Sequence, residues 1–375
     1  MPKVTVLMPV YNGERYLWEA IESILRQTWT DFEFLIINDG SMDKSREIIL
    51  SFNDPRICLV DNPTNIGLTK SLNRGLQLSK GELIARQDAD DISYPTRLSR
   101  EVGFLDTHPE VVLLGTSARA VDERGERKNI DLNMPTGLLS IRWCLMFQNA
   151  FIHSSVMFRR RIILGELGGY DESFARAQDY DLWSRAARAF EVENLSDVLI
   201  DHRFAYGSIV SLLPLPIPAE EDIAYKNLQV FLQDPGVPAE WAQFITHFRR
   251  KDEFSRRTNW NHIAKMYEKI CARYLELYPE SKLDKAIRSH MADVLYWIAY
   301  YSAPCNRRVS FRAYARARKL ARRSRRRPSL IKYLILWMTG ETVRRAYHRF
   351  RRCLRRAEDR CNSYPRKDLS DVKLR

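Results

Sequence analysis

The chain has 375 residues, 45% of them hydrophobic: two ordinary domains in size, with the apolar content of a folded protein and not of a disordered or bilayer-embedded one. Its net charge of +13 is unevenly spread, with 24 Lys and Arg against 5 Asp and Glu in residues 301–375, and 36 against 42 in the first 300. No run reaches the ~18 apolar residues that a membrane span needs, the opening MPKVTVLMPVYNG lacks a signal-peptide pattern, and six scattered cysteines without CxxC or zinc-like spacing fit reduced cytosolic thiols.

In chain order, residues 4–10 read as a buried strand and 14–27 as an amphipathic helix with Leu17, Ile21, Ile24 and Leu25 on one face. Residues 32–38 form a second strand, followed by the turn Asp39-Gly40-Ser41 and a helix from about Asp43. A third strand spans 57–61, the turn Asn65-Ile66-Gly67 opens a helix to about Leu78, and a short fourth strand at 83–86 runs into a cluster of aspartates. Strands alternating with helices of this length predict a mostly parallel sheet with helices on both faces. Further on, the pattern predicts a helix over 95–106, β-rich stretches at 111–115 and 118–122, a strand near 154–158 and a helix over 179–190. Pro214, Pro216 and Pro218 mark a boundary, because proline continues neither a helix nor a central strand. Beyond them the periodicity is helical. The expected organisation is an α/β catalytic domain over residues 1–215, a helical domain over 219–303, and a basic amphipathic helical tail over 304–375.

Ligands of such sheets sit beyond the carboxyl ends of the strands. Three polar clusters follow strands one, two and four, at residues 9–12, 38–41 and 88–91, and would meet on one edge. In Asp88-Ala89-Asp90-Asp91, three carboxylates within four residues repel one another. A hard divalent ion, Mg²⁺ or Mn²⁺, bridging to a diphosphate would relieve that repulsion; the plainer role is an acidic turn capping the next helix. Asp39, beside Gly40 at a strand end, can accept from a nucleobase N–H or a ribose hydroxyl, can stabilise an Asx turn, or can do both. A dinucleotide-dependent oxidoreductase is excluded by the absence of G-x-G-x-x-G after the first strand. A nucleotidyltransferase would need a Gly-rich basic loop at the same place, and none is present.

The run VTVLMPVYNGERYLWEAIESILRQTWTDFEFLIINDGSMDKS, followed in order by NPTNIGLTKSLNRGL, GELIARQDADD and YPTRL, resembles the family 2 glycosyltransferases over about residues 3–210. The resemblance implies a GT-A fold, Rossmann-like with a mostly parallel mixed sheet, here followed by an α-helical C-terminal domain. It implies an inverting transfer from a nucleoside-diphosphate sugar, UDP-linked by expectation, to a glycan or lipid-linked acceptor in cell-surface polysaccharide or glycan biosynthesis. Carried over by position, Pro9, Tyr11, Asn12 and Glu14 would line the nucleoside pocket and Asp39 would bind the base. Asp88 would lie near the ribose or sugar and Asp90 on the metal, and Lys70 or Arg74 would approach the donor. Inversion requires an acceptor hydroxyl deprotonated as it attacks, and the matching stretch Gln178-Asp179-Tyr180 makes Asp179 the base. His153 and Gln178 would stand on the acceptor side. Ala205 occupies the position where relatives carry histidine, so either His202 or a water would complete the metal shell of Asp90 and Asp88, or the shell would be incomplete. Gln178 in place of the usual Glu, together with Ala205, leaves open a catalytically impaired nucleotide-sugar-binding or membrane-tethering protein of the same fold.

In the tail, RRVSFRAYARARKLARRSRRR has helical spacing of Phe311, Ala315, Leu320 and Ala321 with arginines on its other faces. Pro328 ends it, an apolar strip follows (Ile331, Leu334, Ile335, Met338), and a second basic helix covers 344–356. Basic amphipathic helices around a short apolar patch suit an anionic membrane surface better than nucleic acid. The expected location is cytoplasmic, peripheral on the inner face of the membrane.

Overall fold

The computed structural model describes residues 1–204, 218–238, 259–303 and 306–320. Ala205, the apolar strip at 331–338 and the second basic helix lie outside the described residues. The chain divides into two compact units, Met1–Arg250 and Lys251–Arg375.

The first unit opens with β1 (Val4–Val10), α1 (Leu17–Leu25), β2 (Phe32–Asn38), α2 (Ser45–Ser51), β3 (Ile57–Asp61), α3 (Leu68–Leu78) and β4 (Leu83–Arg86). Side chains alternate across a strand, and β1 uses both faces. Val4, Val6, Met8 and Val10 join Leu17, Ala20, Ile21 and Ile24 of α1 in one core cluster. Leu7 points the other way, onto Leu72 and Leu76 of α3. α3 can lie this close because residue 75 is glycine; a Cβ there would stand 2.3 Å from Leu7 Cδ1. α1 starts three residues later than its periodicity predicts, because the N–H groups of Tyr16 and Leu17 both turn back onto Gly13 O.

Next come β5 (Ile92–Ser93), α4 (Arg97–Thr107), β6 (Val111–Val121), β7 (Arg127–Leu132), α5 (Leu138–Leu145), β8 (Met157–Arg159), α6 (Gln178–Ala189), β9 (Glu191–Arg203) and α7 (Pro218–Leu232). The β-rich stretches expected at 111–115 and 118–122 are one continuous strand, β6. The strand expected from Ser154 begins only at Met157, because residues 153–155 form a single 3₁₀ turn closed by Ser155 N on Ile152 O. Among the described residues nine strands form one mixed sheet in the order β3-β2-β1-β4-β8-β6-β9-β5, with β7 on β6. β1 to β4 run parallel, whereas β8 is antiparallel to both β4 and β6. The chain steps outward from β1 to β3 and then returns to the other side of β1 for β4. That reversal is a topological switch point, and the carboxyl ends of β1 and β4 diverge into a crevice there. α7 packs on α6 through Asn227, whose Nδ2 donates to Leu145 O (2.8 Å) and Ser184 Oγ (2.9 Å).

In the second unit, α8 (Trp260–Leu277), α9 (Lys285–Ser302) and α10 (Arg307–Leu320) pack on one another. Asn259 caps α8 and Asp284 caps α9, each accepting from N–H groups of the first turn. Among the described residues no helix is long and apolar enough to cross a membrane.

Behind the crevice lies a fully buried ion pair, Arg97 Nε to Glu101 Oε1 at 3.2 Å. The Arg97 guanidinium also donates to Arg86 O (2.8 Å), Val156 O (3.3 Å), Gln87 Oε1 (3.1 Å) and Ser93 Oγ (3.0 Å), so it joins the ends of β4 and β8 to α4. Burial lifts the Glu101 carboxyl to about 7 against the opposing pull of Arg97. Removing one member of such a pair leaves an uncompensated buried charge. Arg97→Met is therefore expected to lower unfolding stability in urea by roughly 3–5 kcal/mol, with part of the loss recovered by adding Glu101→Leu. A single variant as stable as the parent would show that the pair contributes nothing.

Candidate active site

The crevice is built from loops that follow β1, β2 and β4. Pro9 is buried in β1, two residues beyond Leu7↔Arg86, the last β1–β4 pair, so its missing N–H costs no bond on that side. Tyr11 follows, 47% exposed, and Asn12 takes a left-handed φ of 49°. The turn interlocks with the loop after β2. Asn12 N donates to Ser41 Oγ (3.0 Å) and Met42 N to Asn12 Oδ1 (2.9 Å). Gly13 N donates to Ser45 Oγ (2.8 Å), Glu14 N to Asp43 Oδ2 (2.9 Å) and Lys44 N to Glu14 Oε2 (3.0 Å). Asn12 and Glu14 thus hold the walls of the crevice in addition to lining it.

Asp39, at the end of β2, is buried. Its Oδ1 accepts from Asn62 Nδ2 (2.7 Å) and Ile66 N (3.0 Å), and its Oδ2 from Gly67 N (3.0 Å). The carboxylate ties the β2 edge to the turn before α3 and keeps acceptor capacity on Oδ2. Gly40 makes the approach possible: its φ is +69°, and a Cβ would stand 2.6 Å from Asn65 N. Lys70 is exposed on the first turn of α3. Arg74 turns back onto Asp61 O (3.1 Å) and Asn62 Oδ1.

After β4, the three aspartates sit in distinct environments. Asp88 Oδ1 accepts from the buried Arg86 guanidinium at 2.5 Å, and its Oδ2 lies 2.5 Å from Ser154 Oγ. Burial pushes this carboxyl up, but the Arg86 charge foremost outweighs it and holds Asp88 well below the usual carboxylate range. Asp91 is buried; it accepts from Arg203 N (2.8 Å), His202 Nδ1 (2.9 Å) and, in its turn, Ser154 Oγ. Asp90 lies between them, and among the described residues only its own backbone N–H reaches its carboxylate. Burial, then Asp91 and Asp88, push it up to about 7. His202 loses charge to burial but regains more from Asp91, and from Asp88 and Asp90 beyond, which lift it to about 9. Arg203 closes this side: Nε donates to Asp90 O (2.9 Å), Nη2 to Glu19 Oε2 (2.9 Å), and the guanidinium lies 4.3 Å from the Tyr16 ring centre.

The opposite wall carries His153, Tyr170 and Asp179. His153 Nε2 is 3.1 Å from the Tyr170 hydroxyl, and the imidazole meets the Trp183 ring edge-on. Burial, followed by the Arg86 charge, drops His153 to about 3, so it is neutral. Asp179 stands in the first turn of α6, with Gln178 buried beside it; Ala177 ahead of them is left-handed. Burial raises the Asp179 carboxyl above its ordinary value, against the Tyr180 N–H and Asn149. Asp88 acts electrostatically on Asp179, and Tyr170 feels both. Of the residues singled out from sequence, electrostatic contacts link Asp88 with Asp90, His153, Asp179 and His202, and hydrogen bonds tie Asn12 and Glu14 to the loop after β2; Lys70 is exposed on α3. Sequence reasoning missed Arg86, Asn149, Ser154 and Arg203. Arg86 alone left a signal, a charged residue closing an otherwise apolar strand.

The family model described as Glycosyl transferase family 2 matches residues 5–168. The chain is 36% identical over 205 residues to the putative glycosyltransferase EpsE of Bacillus subtilis, covering 53% of this chain and 72% of that one. It is 32% identical over 207 residues to an uncharacterized glycosyltransferase of Methanocaldococcus jannaschii (54% and 71%). With the amylovoran biosynthesis glycosyltransferase AmsE of Erwinia amylovora it shares 31% over 204 residues (53% and 75%). Among solved structures, S. aureus TarS 1-349 in complex with UDP-GlcNAc superposes with a TM-score of 0.54 at 17% identity, covering 85% of this chain and 91% of that one. At that identity the likeness speaks for the fold, a GT-A glycosyltransferase fold followed by helices.

Proposed function

The chain belongs to glycosyltransferase family 2, and from that membership we propose that it transfers a sugar from a uridine-diphosphate donor to a glycan or lipid-linked acceptor, with inversion at the anomeric carbon. The observation that carries this reading is the pair of carboxylate groups facing one another at the β1–β4 switch point: the Asp88–Asp91 turn on one wall and Asp179 on the other. A role in polysaccharide assembly is supported by the relative named for amylovoran biosynthesis.

Tyr11 exposes its ring at the mouth of the crevice, where a nucleobase can stack, and Asp39 Oδ2 keeps a site for a base or ribose donor. Asp179 takes the proton of the acceptor hydroxyl. The acceptor oxygen then forms its bond to the anomeric carbon as the bond from that carbon to the diphosphate oxygen breaks, and the electron pair leaves with the diphosphate.

The residues fit a divalent cation. Among the described residues no three His, Cys, Asp or Glu side chains converge as a closed metal cage. An ion held by one or two carboxylates, with waters and substrate phosphates completing the shell, is the usual Mg²⁺ arrangement. Asp90, half-buried and with no side-chain donor on its carboxylate among the described residues, is the natural ligand, with Asp88 beside it. When bound, Mn²⁺ or Mg²⁺ would neutralise the diphosphate and stabilise its departure. His202, engaged at Nδ1 and held protonated by Asp91, enters this reading as a cation beside the phosphates more readily than as a ligand.

The tail supplies the partner. On α10 (Arg307–Leu320), Val309, Ser310, Ala313, Tyr314 and Ala317 are buried, while Phe311 is 65% exposed with Ala315 beside it. At 100° per residue, Arg307 and Arg318 flank these two on one side, and Arg308 and Lys319 on the other. An apolar centre between cations matches an anionic bilayer surface, and a lipid-linked acceptor would be met there.

Four outcomes are expected. Asp90→Ala abolishes the Mn²⁺-promoted binding of UDP in calorimetry; binding equal to the parent's would remove the metal role. Asp179→Asn keeps UDP affinity within about twofold and loses transfer by roughly a hundredfold or more. In the parent, transfer falls as pH drops through a midpoint above the ordinary aspartate value of about 4, because the base must be ionised; undiminished transfer by the variant reassigns the base. In co-sedimentation of the full chain with phosphatidylglycerol vesicles, replacing Arg308, Arg318 and Lys319 by Gln weakens binding on the order of a hundredfold, at about 1 kcal/mol per charge. Binding that does not change rules out this face as the contact.

A further inference from the structure

Asn149 lies between α5 and the 3₁₀ turn at His153, on a stretch anchored from both sides. Ala150 and Phe151, which follow it, are buried. Ala150 O accepts from Asn194 Nδ2 (3.0 Å), and the Phe151 ring packs against Trp183 with centroids 6.2 Å apart. The Asn149 side chain is fixed as firmly as its backbone. Its Oδ1 accepts from Phe151 N at 3.1 Å, which assigns the two ends of the amide. Nδ2 is then the end that faces α6, where it donates to Asp179 Oδ2 at 2.7 Å.

An aspartate carboxyl turns easily about χ2, so one in the first turn of a helix can present either oxygen. From the contacts of its amide, we propose that Asn149 is the positioning residue of Asp179: its Nδ2 holds Oδ2 and so fixes the plane of a carboxylate that the Tyr180 N–H also reaches. This rests on the reading of Asp179 as the base. Asn149 touches neither substrate nor reacting atom in this arrangement, and acts through the carboxylate alone.

The same bond sets how readily Asp179 ionises. Asp88 faces Asp179 from the loop after β4, and Tyr170 faces it from the segment before α6. Asp88 and burial both disfavour the carboxylate; the Tyr180 N–H and the Asn149 amide favour it. A donor removed from a charged acceptor shifts the balance toward the protonated acid.

The titration itself requires neither donor nor acceptor. The full-length protein is labelled with carbon-13 at aspartate carboxyls, and the Asp179 resonance is identified by its loss in Asp179→Asn. In Asn149→Leu, close in size but without a donor, the Asp179 titration midpoint is expected to rise by about one pH unit. In Asn149→Gln, which keeps an amide, the rise is smaller. UDP affinity within about twofold of the parent's reports an intact fold, and Asn149→Ser replaces the leucine variant should that one not fold. A midpoint that stays at the parent value in the folded variants overturns the proposal. The two assignments fail separately: if the midpoint moves but Asp179→Asn transfers sugar at the parent rate, the hydrogen bond stands and the base assignment falls.

Discussion

Three carboxylates in a four-residue turn cannot be packed into a crevice unless something answers their mutual repulsion, and most of the first unit is arranged around that problem. Asp88 is answered by the buried Arg86 and by Ser154. Asp91 is answered by His202 and the Arg203 N–H. Asp90 is given only its own backbone N–H, and its carboxyl is pushed up to about 7 by burial and by its two neighbours. The protein thus neutralises the outer pair itself and leaves the middle group to be answered by whatever enters. A cation carrying a diphosphate is the chemistry that suits such a vacancy of charge.

The strands make this division possible. Arg86 closes β4, Arg203 closes β9 and Ser154 stands just ahead of β8, so the three compensating groups reach the turn from three directions. The Arg97–Glu101 pair sits beneath them and clasps the carbonyls of Arg86 and Val156. Buried ion pairs are weak sources of net stability. This one supplies position, because its guanidinium joins β4, β8 and α4 directly behind the aspartates. A second carboxylate is treated differently: Asp179 is held by the Tyr180 N–H and the Asn149 amide and raised by burial.

Much of the first ninety residues was legible in advance. Apolar runs and period-3.6 patterns located β1 to β4 and the helices between them, because β1, β2 and β4 are largely buried on both faces and β3, though partly exposed, keeps a short apolar run. The aspartate turn was legible for the same reason: charge so concentrated at a strand end has few structural uses. Beyond Asp91 the helices at 95–106 and 179–190 were legible, but β9 was not: its Glu193 and Asn194 pair with the segments flanking α5 and its Asp197 with Arg100 of α4, and its alternation is hidden. Ser154 and Asn149 looked like ordinary loop polars. Only their distances to Asp88 and Asp179 give them a role, and those distances span 66 and 30 residues of chain.

Local patterns and short motifs carried the family and the succession of strands and helices over the first ninety residues. Folding added which carboxylate is compensated and which is not, how both oxygens of Asp39 tie β2 to the segment before α3, and which amide reaches Asp179. The physical reason is that ionisation and hydrogen bonding depend on partners brought together by folding, and no local window of sequence contains both members of such a pair.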